Sequence, residues 1–232
     1  MKSGHAQNQR GFGVIDMMVA VALLAIVTTL LMDYTKQSTN ELRAKRVGEN
    51  ISEVTKLFTR YLVAYRGDAT SPMVIQAMTD GTAAASYCSI FVDPATGAGT
   101  TAVNTTKHTC AVDLSFLKWK KMIPLSYPEI NSFGQRWTAV YRLVYEDFDN
   151  NPTTPDTTDG SVEMLVVGAT NSGDEVAMDS STASLAASIA GFNGGYIPNG
   201  EWGNCHYDAG NKEACAAGAS WSVDLDKFLN NP

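Results

Sequence analysis

The chain is expected to be an α+β protein, with a long N-terminal α-helix whose second half packs under an antiparallel β-sheet. Three observations predict this. Residues 12 to 32 carry a single charge, Asp16, in 21 positions, long enough as a helix to cross most of the ~30 Å of bilayer hydrocarbon at ~1.5 Å per residue. Val47, Ile51, Val54, Phe58, Tyr61 and Tyr65 then recur at spacings of 4, 3, 4, 3 and 4, the period of one helix face. Farther on, β-branched and aromatic runs at residues 136 to 145 and 162 to 167, separated by turn-rich sequence, predict a pair of antiparallel strands.

The apolar run is an export and anchoring element. Lys2 and Arg10 precede it with no acid among them, the bias that holds a segment on the cytoplasmic side. A cleavable signal peptide would have an apolar core of ~7 to 15 residues and a small-x-small cleavage site. Here the run ends in Leu30, Leu31, Met32 and Asp33, and its A-x-A, Ala20 to Ala22, lies in mid-run. A plain transmembrane anchor leaves Asp16 unexplained, because an intramembrane carboxylate costs ~2.5 to 3.5 kcal/mol on insertion scales and calls for a partner. A cut after Gly11 supplies one, making Phe12 a new amino terminus one helical turn from Asp16.

A short basic leader, Gly11 before the cut, Phe12 after it, Asp16 at the fifth mature position and an apolar helix beyond resemble the type IV prepilin signature. The resemblance implies that a membrane prepilin peptidase cuts after Gly11 and methylates Phe12, and that Asp16 pairs with the terminal amine of a neighbouring subunit during assembly. The family's usual acid is Glu, one methylene longer than Asp16. The implied organisation is a leader at 1–11, a helix at 12–66 (apolar over 12–32, amphipathic over 33–66) and a globular pilin domain at 67–232. The implied partners are other pilin subunits, the peptidase and the inner membrane before assembly. The implied destination is an extracellular pilus serving adhesion, conjugation or motility. A pseudopilin of a secretion system and a membrane-tethered surface binding module are the alternatives.

After the apolar run the stripe from Val47 to Tyr65 faces a core, while Arg43, Lys45, Arg46, Glu49, Glu53 and Lys56 face outward. Gly67 ends the helix, which makes Arg66-Gly67-Asp68 a helix end and not an adhesion tripeptide. Residues 68 to 112 are rich in Ala, Thr and Gly and are expected to form a loop with short elements, pinned by a bridge between Cys88 and Cys110 and containing one strand at 87 to 92. A short helix is expected at 114 to 122 before Pro124. Between the two predicted strands lies an acidic loop, 146 to 160. Its Asp147, Asp149 and Asn151 share the spacing of the first calcium ligands, but Pro152 replaces the turn glycine and Thr158 the bidentate Glu. It is expected to be a solvated loop, not a metal site. A helix follows at 180 to 190 with Asp179 as N-cap and Gly191 as its end, and a last strand is expected at 219 to 225.

Four short stretches resemble the shufflon-type minor pilin family: residues 117 to 124; Asn131, Gly134 and Gln135; Leu165 to Val167; and Gly194 to Pro198 ahead of Trp221.

Cys88, Cys110, Cys205 and Cys215 lie in the exported part, where disulfides persist. Of three connectivities, neighbour pairing, 88 with 110 and 205 with 215, is expected. Each bridge is worth ~2 to 4 kcal/mol. A zinc site is disfavoured, since there is no C-x-x-C and the adjacent Cys205 and His206 chelate poorly. The whole chain has a net charge of −7. Loss of residues 1–11 would leave 15 of its 17 basic side chains against all 24 acids, a net of −9. Such a surface repels nucleic acid, which is not expected as the main partner. With three histidines, one in the leader, and no G-x-S-x-G, H-E-x-x-H or P-loop pattern, neither catalysis nor a cofactor is expected. The tryptophans at 119, 137, 202 and 221 are expected to fill the core.

Overall fold

A computed structural model describes residues 14–67, 73–144, 161–169, 178–198, 200–203, 205–208, 210, 212–217 and 220–228. The chain divides into two units, Met1–Leu42 and Arg43–Pro232. Helix α1 (Val14–Tyr65) contributes to both.

Among the described residues of the first unit no side chain is buried. Met17, Val21, Leu24 and Leu30 are 64 to 70% exposed. Its threonines turn their hydroxyls inward: Thr28 donates to the Leu24 carbonyl at 2.7 Å and Thr29 to that of Ile26 at 2.8 Å. A hydroxyl satisfied by its own helix can enter an apolar environment without an unpaired donor.

In the second unit the predicted stripe is the spine of the core. Val54, Phe58 and Tyr61 are buried along with Ala44 and Val47, and Ile51 and Tyr65 pack at the margin. Tyr65 ends the helix and Gly67 follows at φ 83°, a left-handed turn open to glycine at little cost.

The segment expected to be a loop with short elements forms α2 (Val74–Asp80), α3 (Ala84–Tyr87), β1 (Ser89–Ile90), which lies within the strand expected at 87 to 92, β2 (Thr100–Thr101), β3 (Val103–Asn104) and β4 (Thr109–Asp113). Strand β4 is an inner strand of the main sheet, whose order is β3-β4 followed by β5 (Arg136–Val144) and β6 (Ser161–Ala169). All three pairings are antiparallel, and β5 meets β6 in register from Arg136 opposite Ala169 to Val144 opposite Ser161. The expected hairpin strands are therefore present, each within two residues of its predicted limits. The sheet joins α1 in one core through Val112, Ala139, Tyr141 and Leu143. The Tyr141 hydroxyl donates to the Phe58 carbonyl of α1 at 2.8 Å, and burial raises its pKa well above the usual range.

Helix α4 (Leu114–Trp119) begins where expected but ends three residues early, at Lys120 and at Lys121 with φ 57°. Helix α5 (Ser180–Ala190) matches its predicted limits, with Asp179 accepting from the Thr182 amide at 2.8 Å and Gly191 at φ 82° closing it. Gly48 of α1 lies against α5. A Cβ there would come 2.6 Å from the Ala186 carbonyl oxygen and 2.8 Å from the Ile189 Cβ.

The last part forms a smaller layer. It comprises β7 (Gly195–Tyr196), the hairpin of β8 (Gly200–Trp202) and β9 (Cys205–Tyr207), β10 (Glu213–Ala216), β11 (Ser222–Asp224) and a 3₁₀ turn over Leu225–Lys227. The predicted final strand is thus three residues long. Ala187, Tyr196, Cys205 and Cys215 form its own small core. Gly195 lets the Trp221 ring lie on the backbone, and the Trp221 indole donates to the Phe192 carbonyl at 2.9 Å. Of the four tryptophans, only Trp137 is buried. Trp119 and Trp221 are half-buried and Trp202 is 44% exposed, which corrects the expectation that all four fill the core.

Candidate functional site

Among the predicted assembly residues, Asp16 falls in the first turn of α1, while Gly11 and Phe12 lie outside the described residues. Asp147, Asp149 and Asn151 also lie outside them. The site available to geometry is α1 itself, with the domain that holds its second half.

Two disulfides brace that domain, and tyrosine hydroxyls tie it to α1. Cys88 is bonded to Cys110, and Cys205 to Cys215, the neighbour connectivity. No free thiol remains, so Cys205, Glu213 and Cys215, whose ligand atoms lie within 4.8 Å of one another, offer no thiolate to a metal. Glu213 accepts instead from the His206 amide at 3.3 Å. The first bridge ties the segment after α3 to the inner strand β4. Beside it the Tyr61 hydroxyl of α1 donates to the Tyr87 carbonyl at 2.5 Å.

Sequence reasoning missed a buried ionic chain. Asp113, fully buried, caps α4 by accepting from the Phe116 amide at 3.0 Å. It also accepts from the Ser115 hydroxyl at 2.5 Å and the Phe91 amide at 2.9 Å, and it lies 3.5 Å from Arg136. Arg136 reaches Glu129 at 2.6 Å, and Glu129 accepts from Lys118 at 2.8 Å. Burial works against the Glu129 charge, yet the hydrogen bonds and charges of Lys118 and Arg136 hold its carboxyl below the usual range. The available signal was local: an Asp three residues before Phe116 at a helix start is an N-cap pattern. Its partners come from far along the chain.

A second cation sits among aromatic rings. The Lys120 ammonium lies 4.4 Å from the Trp119 ring centre and 5.3 to 5.5 Å from those of Tyr87, Tyr65 and Phe116. This cluster gathers the end of α1, α3 and α4 around one charge. A shallow cleft of about 400 Å³ lies beyond α4, lined by Pro94, Met122, Ile123, Pro124, Leu125 and the stems of Lys118 and Lys121. It is apolar, and the Lys118 charge beside it is already matched by Glu129.

Compared with protein-family models, with curated proteins and with solved structures, the chain matches none of them. What the geometry establishes is an α+β domain with antiparallel sheets and two disulfides, on a helix whose first part is long and apolar enough to cross a membrane.

Proposed function

We propose that this chain is a structural subunit of a type IV pilus-like surface filament, made as a membrane-anchored precursor and assembled through its apolar helix. The observation that carries the reading is the division of α1. One unbroken helix has an uncovered apolar half, with its threonine hydroxyls satisfied within the helix, and a half that forms the spine of a disulfide-bonded domain. A soluble enzyme gains nothing from that construction, since exposed apolar surface costs ~25 cal/mol per Å² in water. A subunit that passes from bilayer to fibre core keeps that half buried at both stages. Asp16, in the first turn of α1, is the group that would receive the amine of a neighbouring Phe12.

Mass spectrometry of the protein recovered from cells tests this. The expected mature terminus is Phe12, methylated, in filaments that can be sheared from the surface. An intact Met1, or a terminus beyond Met32, overturns the reading. A Phe12 terminus in a protein that stays in the membrane, with no filament, selects the pseudopilin role.

A further inference from the structure

The second half of α1 has a face that the domain does not use, and its charge is opposite to that of the domain. Residues 43 to 66 hold six basic side chains and two acids, whereas residues 67 to 232 hold eight basic side chains and 19 acids. The two acids on the helix are already engaged. Glu49 lies 4.0 Å from Lys45 one turn away. Glu53 hydrogen-bonds the Tyr127 phenol, whose pKa, raised first by burial and then by the Glu53 charge, is pushed up to about 12. Arg46, Lys56 and Arg60 are exposed and make no ion pair among the described residues. Lys45, Ser52, Lys56 and Val63 follow at spacings of 7, 4 and 7, on the side of the helix opposite the buried stripe. Val63 is 78% exposed, an apolar residue at the end of this basic row.

We infer that the outward face of α1 from Lys45 to Val63 is a docking surface for the acidic domain of a second copy of this chain. The inference rests on the filament reading, and it names the contact that neighbouring domains make once their apolar helices are packed. Charge complementarity selects the partner. The domain of another copy carries a large acidic excess, whereas a second copy of the same helix face would be repelled. The surface acts in register and selectivity more than in raw affinity, because single exposed ion pairs contribute little and are screened by salt. Val63 supplies an apolar centre around which such pairs lose water.

Carbodiimide treatment of the full-length protein in sheared filaments tests this directly, because the reagent joins a lysine to a carboxylate only where the two touch. The expected product is a covalent dimer whose junction peptide couples Lys45 or Lys56 to an acid within residues 67 to 232. Its yield should fall as salt is raised from 0.05 to 0.5 M. The double variant Lys56→Glu, Arg60→Glu should lower filament yield about tenfold. Both residues are exposed, so its near-ultraviolet circular dichroism should match the parent. Dimers joined only at other sites, no dimers, or unchanged filament yield from the double variant overturn this inference and leave the filament reading standing. Absence of a Phe12 terminus removes the filament reading, and this inference with it.

Discussion

Residues 17 to 32 and residues 43 to 65 belong to the same α-helix but meet opposite fates. The first stretch is apolar nearly all round and its large side chains are uncovered; the second has an apolar stripe only, and that stripe is buried. Helix propensity does not separate them, since both are continuous helix in α1. The pattern of apolar residues does. A helix apolar on every side needs a solvent or a set of neighbours that is apolar on every side, whereas a striped helix needs one sheet. The comparison also shows where stability resides. Removing a side chain from the stripe costs this fold, while removing one from the uncovered half costs whatever the helix enters.

The sharpest break in that comparison is at Asp16. In the subunit reading, Asp16→Ala leaves cleavage after Gly11 intact but abolishes filaments, because a buried terminal amine loses its partner. Asp16→Glu restores them. In a plain anchor the same Ala change inserts as well or better, by ~2.5 to 3.5 kcal/mol. Terminal sequencing together with filament yield separates the outcomes, and normal incorporation of Asp16→Ala subunits sinks the docking role of this carboxylate.

Next in size is a paired substitution along the helix. Phe58→Ala should lower the unfolding free energy of the full chain in detergent by ~3 to 5 kcal/mol, since the ring is fully buried between α1 and the sheet. Leu24→Ala should change it by no more than ~0.5 kcal/mol. Equal losses at the two positions would mean that the halves are not independent.

Gly48 gives a smaller effect with an informative sign. At an exposed mid-helix position Gly→Ala raises stability by ~1 kcal/mol. Here the added methyl meets the Ala186 carbonyl and Ile189 of α5, so Gly48→Ala should lower it by ~1 to 2 kcal/mol. A raised melting temperature would show that α5 does not sit against α1.

The smallest effect is in acid. The Glu129 carboxyl is held below its ordinary value of 4.5, so its contribution is fully present above that pH and is lost as pH falls through the lower, folded-state value. Stability should therefore decline below about pH 4.5, and Glu129→Gln should flatten that part of the profile while lowering the plateau. A pH profile unchanged by the substitution would show that Lys118 and Arg136 do not hold the charge.

Much of this was legible because the determining signals are local and periodic. The 4, 3, 4, 3, 4 spacing from Val47 to Tyr65 names the buried face of α1 before any partner is known. Asp179 and Gly191 bracket α5, and the β-branched run beginning at Arg136 announces β5. Residues 73 to 113 were not legible in this way. Their Ala, Thr and Gly content suggests a loop with short elements but does not say which: α2 forms because Val74, Ala77 and Met78 find the core, α3 because Ala84 does, and β4 because β3 and β5 lie on either side of it. A five-residue strand has too few alternations to declare itself.

The sequence by itself determined the long helix, its division into an apolar and a striped half, the hairpin strands and the caps of α5, since each depends on residues within a few turns of one another. Only the tertiary structure decided that β4 joins β5 as an inner strand, that Asp113, Arg136, Glu129 and Lys118 form one ionic chain, that Lys120 sits among four aromatic rings, and that Gly48 admits α5. Those features join residues far apart in the chain, such as Gly48 and Ala186, and no pattern along the chain encodes a contact until packing brings its two sides together.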